Sequence, residues 1–269
     1  MTPKQKYLFD LRGYLHLENV LTAQELGNTQ KAIERLLQSA PDELLPGIER
    51  SGEGFSNGFS ADKSLEALTL HPVTWPIIKE LMANKPRLNR GSLVVNTHHR
   101  REMTPLHCAG EGFRWTRRYD VKNEQIFTND LVVFFYFTDV YPGDGGLVVL
   151  PGSHKRAFER PESLFFPEPN NPEAALHPTL TNVTPKAGGV VIITEMLTHG
   201  VLVWKPQDRD RRFLILRYKT HFFHDERGVR EPFPPEVMAR LSPETRALAA
   251  YAEPWEEKEL VKHDIVTLT

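Results

Sequence analysis

Three stretches of the chain carry residue types that could build a redox metal centre. Thr104 to Ala109 (TPLHCA) holds one histidine, His107. His199 is a second, and Arg211 to Tyr218 (RRFLILRY) is a basic, strand-like run. Two histidines and one carboxylate hold non-haem iron(II) while leaving open positions for a co-substrate and O₂. In such sites the carboxylate sits two residues after the first histidine, as His-x-Asp or His-x-Glu. Here that position is Ala109, which has no donor atom. Three readings stay open: an exogenous anion completes the site, another carboxylate does, or no iron works here.

The elements around these residues must bring them together. His107 ends a β-rich approach and precedes Gly110-Glu111-Gly112, whereas His199 follows the strand and turn of Val190 to Thr198. Histidines so far apart in sequence converge only if their strands are neighbours in a rolled sheet. Along Arg211 to Tyr218, the alternation of a strand puts Arg211 and Arg217 on one face and Arg212 on the other. Phe213 and Ile215 share the face of Arg211, which suits an interior better than a solvated surface. A buried arginine needs an anion, and a carboxylate gripped by both guanidinium nitrogens is its natural partner.

Two carboxylates could replace the one missing at residue 109. Glu195 stands four residues before His199, and Glu111 two after Ala109. Either could ligate the metal; the plainer roles are an orienting partner for a histidine and a solvated loop acid. Cys108 is read as a small core residue, with a soft metal ligand as the alternative. Arg114 to Tyr119 (RWTRRY) mixes cations with aromatics and reads as a clamp for an anionic substrate or as an exposed loop face. His98, His99, His154, His221 and His224 are read as satisfied or exposed.

A helical first third, about residues 1–90, is followed by β texture to about 222 and by helices near 230–262. Tyr14 to Leu17 reads as a strand, and Thr22 to Glu25 as a capping box opening a helix to about Ser39. Gly47 to Asp62 reads as a surface loop, and Pro72 to Ala83 as a second helix. Ser92 to Asn96, Leu131 to Thr138, Gly146 to Leu150, Val190 to Ile193 and Arg212 to Lys219 read as strands separated by Gly- and Pro-rich turns. Phe158 to Pro185 is a Pro-rich insertion over one mouth of a barrel. Pro235 to Leu241, and the stretch capped by Ser242 with Pro243 at its first turn, read as closing helices. The expected architecture is a single jelly-roll domain, mainly β with flanking helices.

Composition narrows the class. The 269 residues have 40% apolar content and a formal net charge of -2, with a pI near 6.6 and a mean hydropathy of -0.41. Nothing here favours nucleic acid or an anionic membrane as a partner. One cysteine precludes an internal disulfide framework and suits a reducing compartment. No apolar run reaches membrane-span length, and the first residues lack a secretory h-region. A soluble, cytoplasmic protein acting on small molecules is expected.

Several motifs together resemble the phytanoyl-CoA dioxygenase family of iron(II)/2-oxoglutarate oxygenases. They are Gly13 to Leu15 (GYL), Pro105 to His107 (PLH), Leu131 to Val140 (LVVFFYFTDV), Gly145 to Lys155 (GGLVVLPGSHK), Lys186 to Gly189 (KAGG), His199-Gly200 and Arg211 to Tyr218. The resemblance implies a double-stranded β-helix, or cupin-like jelly roll. It implies iron(II) at His107 and His199, and 2-oxoglutarate held by Arg211, Thr104 and Phe134. Ala109 departs from the family pattern and resembles the aliphatic halogenases of the wider superfamily. In those enzymes chloride occupies the vacated position, and an arginine near the position of Arg217 lies close to it. The implied activity is oxidation of an unactivated C–H of a small, anionic molecule using O₂, with halogenation expected ahead of hydroxylation. Hydroxylation through Glu195 or Glu111, and a non-catalytic binding protein on the same fold, are the alternatives.

Overall fold

The computed structural model describes the chain except for residues 53, 100–102, 110–117, 162–175 and 224–231. In chain order the first strands are β1 (Tyr14–Leu17), β2 (Glu49–Ser51), β3 (Gly54–Ser56), β4 (Pro86–Asn96), β5 (Thr104–His107), β6 (Tyr119–Lys122) and β7 (Gln125–Thr128). They are followed by β8 (Asp130–Tyr136), β9 (Gly146–Val149), β10 (Thr181–Asn182), β11 (Val190–Thr194), β12 (His199–Leu202) and β13 (Arg211–Thr220). A seven-stranded sheet runs β1-β11-β8-β13-β4-β3-β2, a four-stranded sheet runs β10-β9-β12-β5, and β6 pairs with β7. The pairings in all three are antiparallel.

The large sheet is covered on both faces, which explains its nearly unbroken apolar strands. Every residue of β8 is buried. Leu131, Val133 and Phe135 join the core under the helices, while Val132, Phe134 and Tyr136 face the interior shared with the small sheet. Strand β13 divides likewise. Leu214, Leu216 and Tyr218 point to the helices, Phe213 and Ile215 to the interior. Each large apolar side chain withdrawn from water contributes about 1.5–3 kcal/mol. Two antiparallel sheets face to face, buttressed by helices, make a jelly roll.

Helices close the outer face. They are α1 (Pro3–Arg12), α2 (Ala23–Gln38), α3 (Lys63–Glu66), α4 (Trp75–Leu81), α5 (Pro235–Arg240) and α6 (Pro243–Ala249). Thr22 and Glu25 form the expected reciprocal cap of α2: the Glu25 N–H donates to Thr22 Oγ1 at 3.2 Å and the Thr22 N–H to Glu25 Oε2 at 2.8 Å. Its buried stripe of Thr29, Ala32, Ile33 and Leu36 lies over the sheet. Ser242 caps α6 by accepting from the Thr245 N–H at 3.2 Å.

Two segments differ from their sequence reading. Gly47 to Asp62, expected as a surface loop, contains the β2–β3 hairpin and a 3₁₀ turn, and it buries Phe55 and Phe59. Its glycines are packing devices: a Cβ on Gly54 would lie 2.3 Å from the Leu93 carbonyl oxygen of β4. Residues 3–12 form α1, which no periodic apolar pattern announced; Thr2 caps it and Phe9 anchors it in the core. Part of the insertion 158–185 lies outside the described residues. Its end, β10, pairs with β9 and extends the small sheet. Among the described residues, no helix is long and apolar enough to cross a membrane.

His154 is a core residue of this scaffold. Its Nε2 donates to the Asp10 carbonyl oxygen at 3.1 Å, and its ring meets Tyr119 edge-on at 4.4 Å between centroids. Burial pushes its pKa down to about 4. The unfolded chain therefore binds the proton more readily, and stability falls as pH drops below about 6.5. Between pH 6.5 and 5, above the range where most carboxylates titrate, the loss from this residue should be about 2 kcal/mol. Chemical denaturation across that interval should show the slope, and His154→Leu should flatten it. An unchanged slope in the variant would refute the assignment. His221, likewise pushed to about 4 by burial, should contribute too, as should His16, His71 and His199, which burial also lowers.

Candidate active site

Strands β5 and β12 lie side by side with His107 directly opposite His199. Their ring centroids are 4.3 Å apart. Each Nδ1 lies 2.8 Å from the carbonyl oxygen two residues earlier in its own chain, Pro105 for His107 and Leu197 for His199. A carbonyl can only accept, so each Nδ1 carries the proton and each Nε2 keeps its lone pair. Carbonyl anchoring of Nδ1 is how metal-bound histidines are oriented. Burial pushes the His199 pKa down, opposed by Glu195 and reinforced by His107. A neutral imidazole is the form a metal requires. The pair fits two positions of an iron site. Among the described residues no third His, Cys, Asp or Glu completes the group as the side chains stand.

Arg211 begins β13 on the interior face, 1% exposed. Its guanidinium donates to Asn96 Oδ1 at 3.2 Å and to the Tyr136 hydroxyl at 3.5 Å, and it lies 4.3 Å from the Phe213 ring centroid. Its Nε has no partner, and no carboxylate among the described residues pairs with it. A buried cation satisfied only by neutral groups is costly and calls for an anion. The guanidinium lines a cavity of about 180 Å³ with Thr104, Asn96, Trp204 and Phe213. Gly146 keeps this space open: its φ is +85°, and a Cβ there would lie 3.2 Å from the guanidinium carbon. Arg212 points outward to Glu34 and Asp210, as alternation requires.

Arg217 shares the interior face of β13 and has a different environment. It pairs with Glu195 at 2.7 Å, with Asp130 at 3.9 Å. Burial pushes the Glu195 carboxyl up, but neighbouring positive charge, led by Arg217, outweighs it and holds the carboxyl below its ordinary value. The Glu195 backbone is close to the departure from the family pattern, since the Ala109 N–H donates to the Glu195 carbonyl oxygen at 2.7 Å.

The other expected residues fall as follows. Phe134 faces the same interior, with its ring 6.1 Å from Phe213, but Tyr136, two residues on, is the one that reaches Arg211. Cys108 is buried. Glu111 and residues 114–117 lie outside the described residues. Asn96, Tyr136 and Trp204 escaped sequence reasoning. The available signal was a polar side chain at the end of an apolar strand, as at Asn96. Arg156 and Arg160 also escaped it; they donate to Thr198 Oγ1 at 3.2 Å and to the Leu106 carbonyl at 2.8 Å, beside the two histidines.

Two outcomes follow from this geometry. Replacing His107 or His199 with Ala should abolish stoichiometric iron(II) binding in anaerobic titration, and near-normal binding in either variant would contradict the paired-histidine site. Arg211→Ala should weaken 2-oxoglutarate binding by roughly 2–5 kcal/mol, the scale for truncating one partner of a buried charge pair. Arg212→Ala should change it little. A larger effect from Arg212 in calorimetry would overturn the assignment.

The fold is shared with solved structures. HygX from Streptomyces hygroscopicus, solved with nickel and 2-oxoglutarate bound, superposes with a TM-score of 0.68 at 22% identity, covering 83% of this chain and 88% of that one. The carbocyclase SnoK from nogalamycin biosynthesis superposes with a TM-score of 0.58 at 21% identity, over 82% and 85% of the two chains. The epimerase SnoN, in complex with Fe³⁺, alpha ketoglutarate and nogalamycin RO, gives 0.57 at 17% identity, over 95% and 93%. At these identities the likeness is one of fold. No curated protein sequence matches the chain. The family model for phytanoyl-CoA dioxygenase (PhyH) matches residues 9–201. The match spans β1, both histidines and the intervening sheet, and the chain belongs to the phytanoyl-CoA dioxygenase family.

Proposed function

We propose that the protein uses iron(II), 2-oxoglutarate and O₂ to oxidise an unactivated C–H of a small, anionic molecule. The buried Arg211, lacking any carboxylate among the described residues and lining one cavity with Thr104, carries this reading. His107 and His199 would hold the metal through Nε2. Arg211 would take the distal carboxylate of 2-oxoglutarate, with the Thr104 hydroxyl, Asn96 and Tyr136 around it. When bound, iron(II) and 2-oxoglutarate together activate O₂ and remove the hydrogen, with release of succinate and CO₂. Phe213, Trp204 and Val94 line that space with apolar surface and limit water there.

The geometry supports hydroxylation best. Glu195 lies beside position 109 and supplies a carboxylate that Ala109 does not, so the hydroxylase reading takes it as the third ligand. A second reading rests on Ala109 itself. Its methyl group leaves room for chloride, and halogenation would follow from halide in that place with Arg217 nearby. The basic groups beside the histidines, Arg217, Arg156 and Arg160, support an anionic substrate.

Substrate-independent succinate formation from 2-oxoglutarate tests the shared core of both readings. It should require iron and vanish in His107→Ala and Arg211→Ala. Product masses then separate the two, once a substrate is found. The hydroxylase reading predicts product in halide-free buffer and its loss in Glu195→Ala. The halogenase reading predicts a halogenated product that requires chloride and disappears in Ala109→Asp. No succinate under any condition would leave a non-catalytic binding protein.

A further inference from the structure

We infer that Arg217 is a latch on Glu195, released when an anionic group of the substrate occupies the guanidinium; this rests on the proposed reading of Glu195 as the third ligand. The Glu195 carboxylate is buried, its 2.7 Å partner is a cation, and no three-donor metal group exists among the described residues. Its backbone is held at Ala109 by the 2.7 Å hydrogen bond, so only the side chain has to move. The Glu195 side chain is 6% exposed, whereas Arg217 is 28% exposed and open to an arriving anion.

The exchange conserves charge pairing. In the latched state Arg217 pairs with Glu195, and a metal on the two histidines lacks a protein anion. In the released state the substrate anion pairs with Arg217 and the carboxylate pairs with the dication. Arg217 and Glu195 each keep an oppositely charged partner in both states, which keeps the desolvation cost of switching low. The two arginines on one face of β13 are six residues apart, roughly 20 Å along the strand. They would therefore serve separate anions, Arg211 the co-substrate and Arg217 the substrate. Binding of metal and of substrate anion must then be coupled, each tightening the other by the same factor. The metal would be weakly held and coordinatively incomplete until the anion arrives, which selects substrates carrying a carboxylate, sulfate or phosphate.

The test is cobalt(II) binding to the anaerobic protein, followed by calorimetry and by the visible absorption of the metal. Sulfate serves as the anion, with ionic strength matched by perchlorate and a separate chloride arm. For the wild type, sulfate should tighten cobalt binding about ten-fold, within the usual range of such couplings, and should change the cobalt spectrum. Arg217→Gln should bind cobalt more tightly than wild type without sulfate and ignore its addition. Glu195→Gln should bind weakly and also ignore it. Absence of a sulfate effect on the wild type, or weaker cobalt binding in Arg217→Gln, overturns the latch. Chloride acting as well as sulfate in Glu195→Gln would also overturn it, because the anion would then be a metal ligand. His107→Ala separates the layers: if it binds cobalt like wild type, the metal-site reading itself has failed. If it loses cobalt while sulfate and Arg217→Gln have no effect, the latch alone has failed.

Discussion

The antiparallel pairing of β5 with β12 is the constraint on which the site depends. It sets His199 opposite His107, and both rings are then turned the same way by their own strands' carbonyls. Side chains alternate along a strand, so a slip of one residue would send one histidine to the far face of the sheet. The register shift between His199 and Val201 brings Val201 opposite Thr104, and Thr104 and Val201 line one cavity with Arg211. The histidine pair and the cavity beside Arg211 are thus set by one pairing on the small sheet and closed by the large sheet across from it.

Two arginines on a single strand face show how surroundings decide what a charge does. Arg211 is satisfied by an amide, a phenol and an aromatic face, which leaves its charge uncompensated and suited to a carboxylate from outside. Arg217 reaches two carboxylates and is partly solvated. The difference arises in the neighbouring strands. The end of β4 presents Asn96 to Arg211, while the start of β8 and the turn after β11 present Asp130 and Glu195 to Arg217. A charge without a protein partner marks a place for a ligand. A charge with one marks a place where ligand and protein compete.

The alanine at position 109 removes a carboxylate from its ordinary place but not from its neighbourhood. Glu195 belongs to a different strand connection, and only the fold lays its backbone against Ala109. In the proposed hydroxylase reading, the charge available to a dication is restored from a site 86 positions further along the chain. That relocation bears on chemistry, because a carboxylate that must leave an arginine is conditional where an aspartate at 109 would be permanent.

The sequence alone indicated six of the strands, the capped helices α2 and α6 and the jelly-roll class, and it put forward His107, His199, Thr104 and Arg211 as site candidates. These follow from local rules: period-two alternation, side-chain capping and Gly- or Pro-marked turns are properties of neighbouring residues. Alternation also sufficed to separate Arg211 from Arg212. The β2–β3 hairpin was illegible because its glycines read as loop punctuation, whereas their reason is the approach of β4 some 40 residues away. Asn96 and Tyr136 were illegible for the same kind of reason, since their role exists only once β4 and β8 flank β13. Tertiary structure alone decided the facing of the two histidines, the isolation of Arg211 from carboxylates and the pairing of Glu195 with Arg217. Those depend on which strands become neighbours and in what register, and that choice is made by burial of the whole sheet rather than by any local segment.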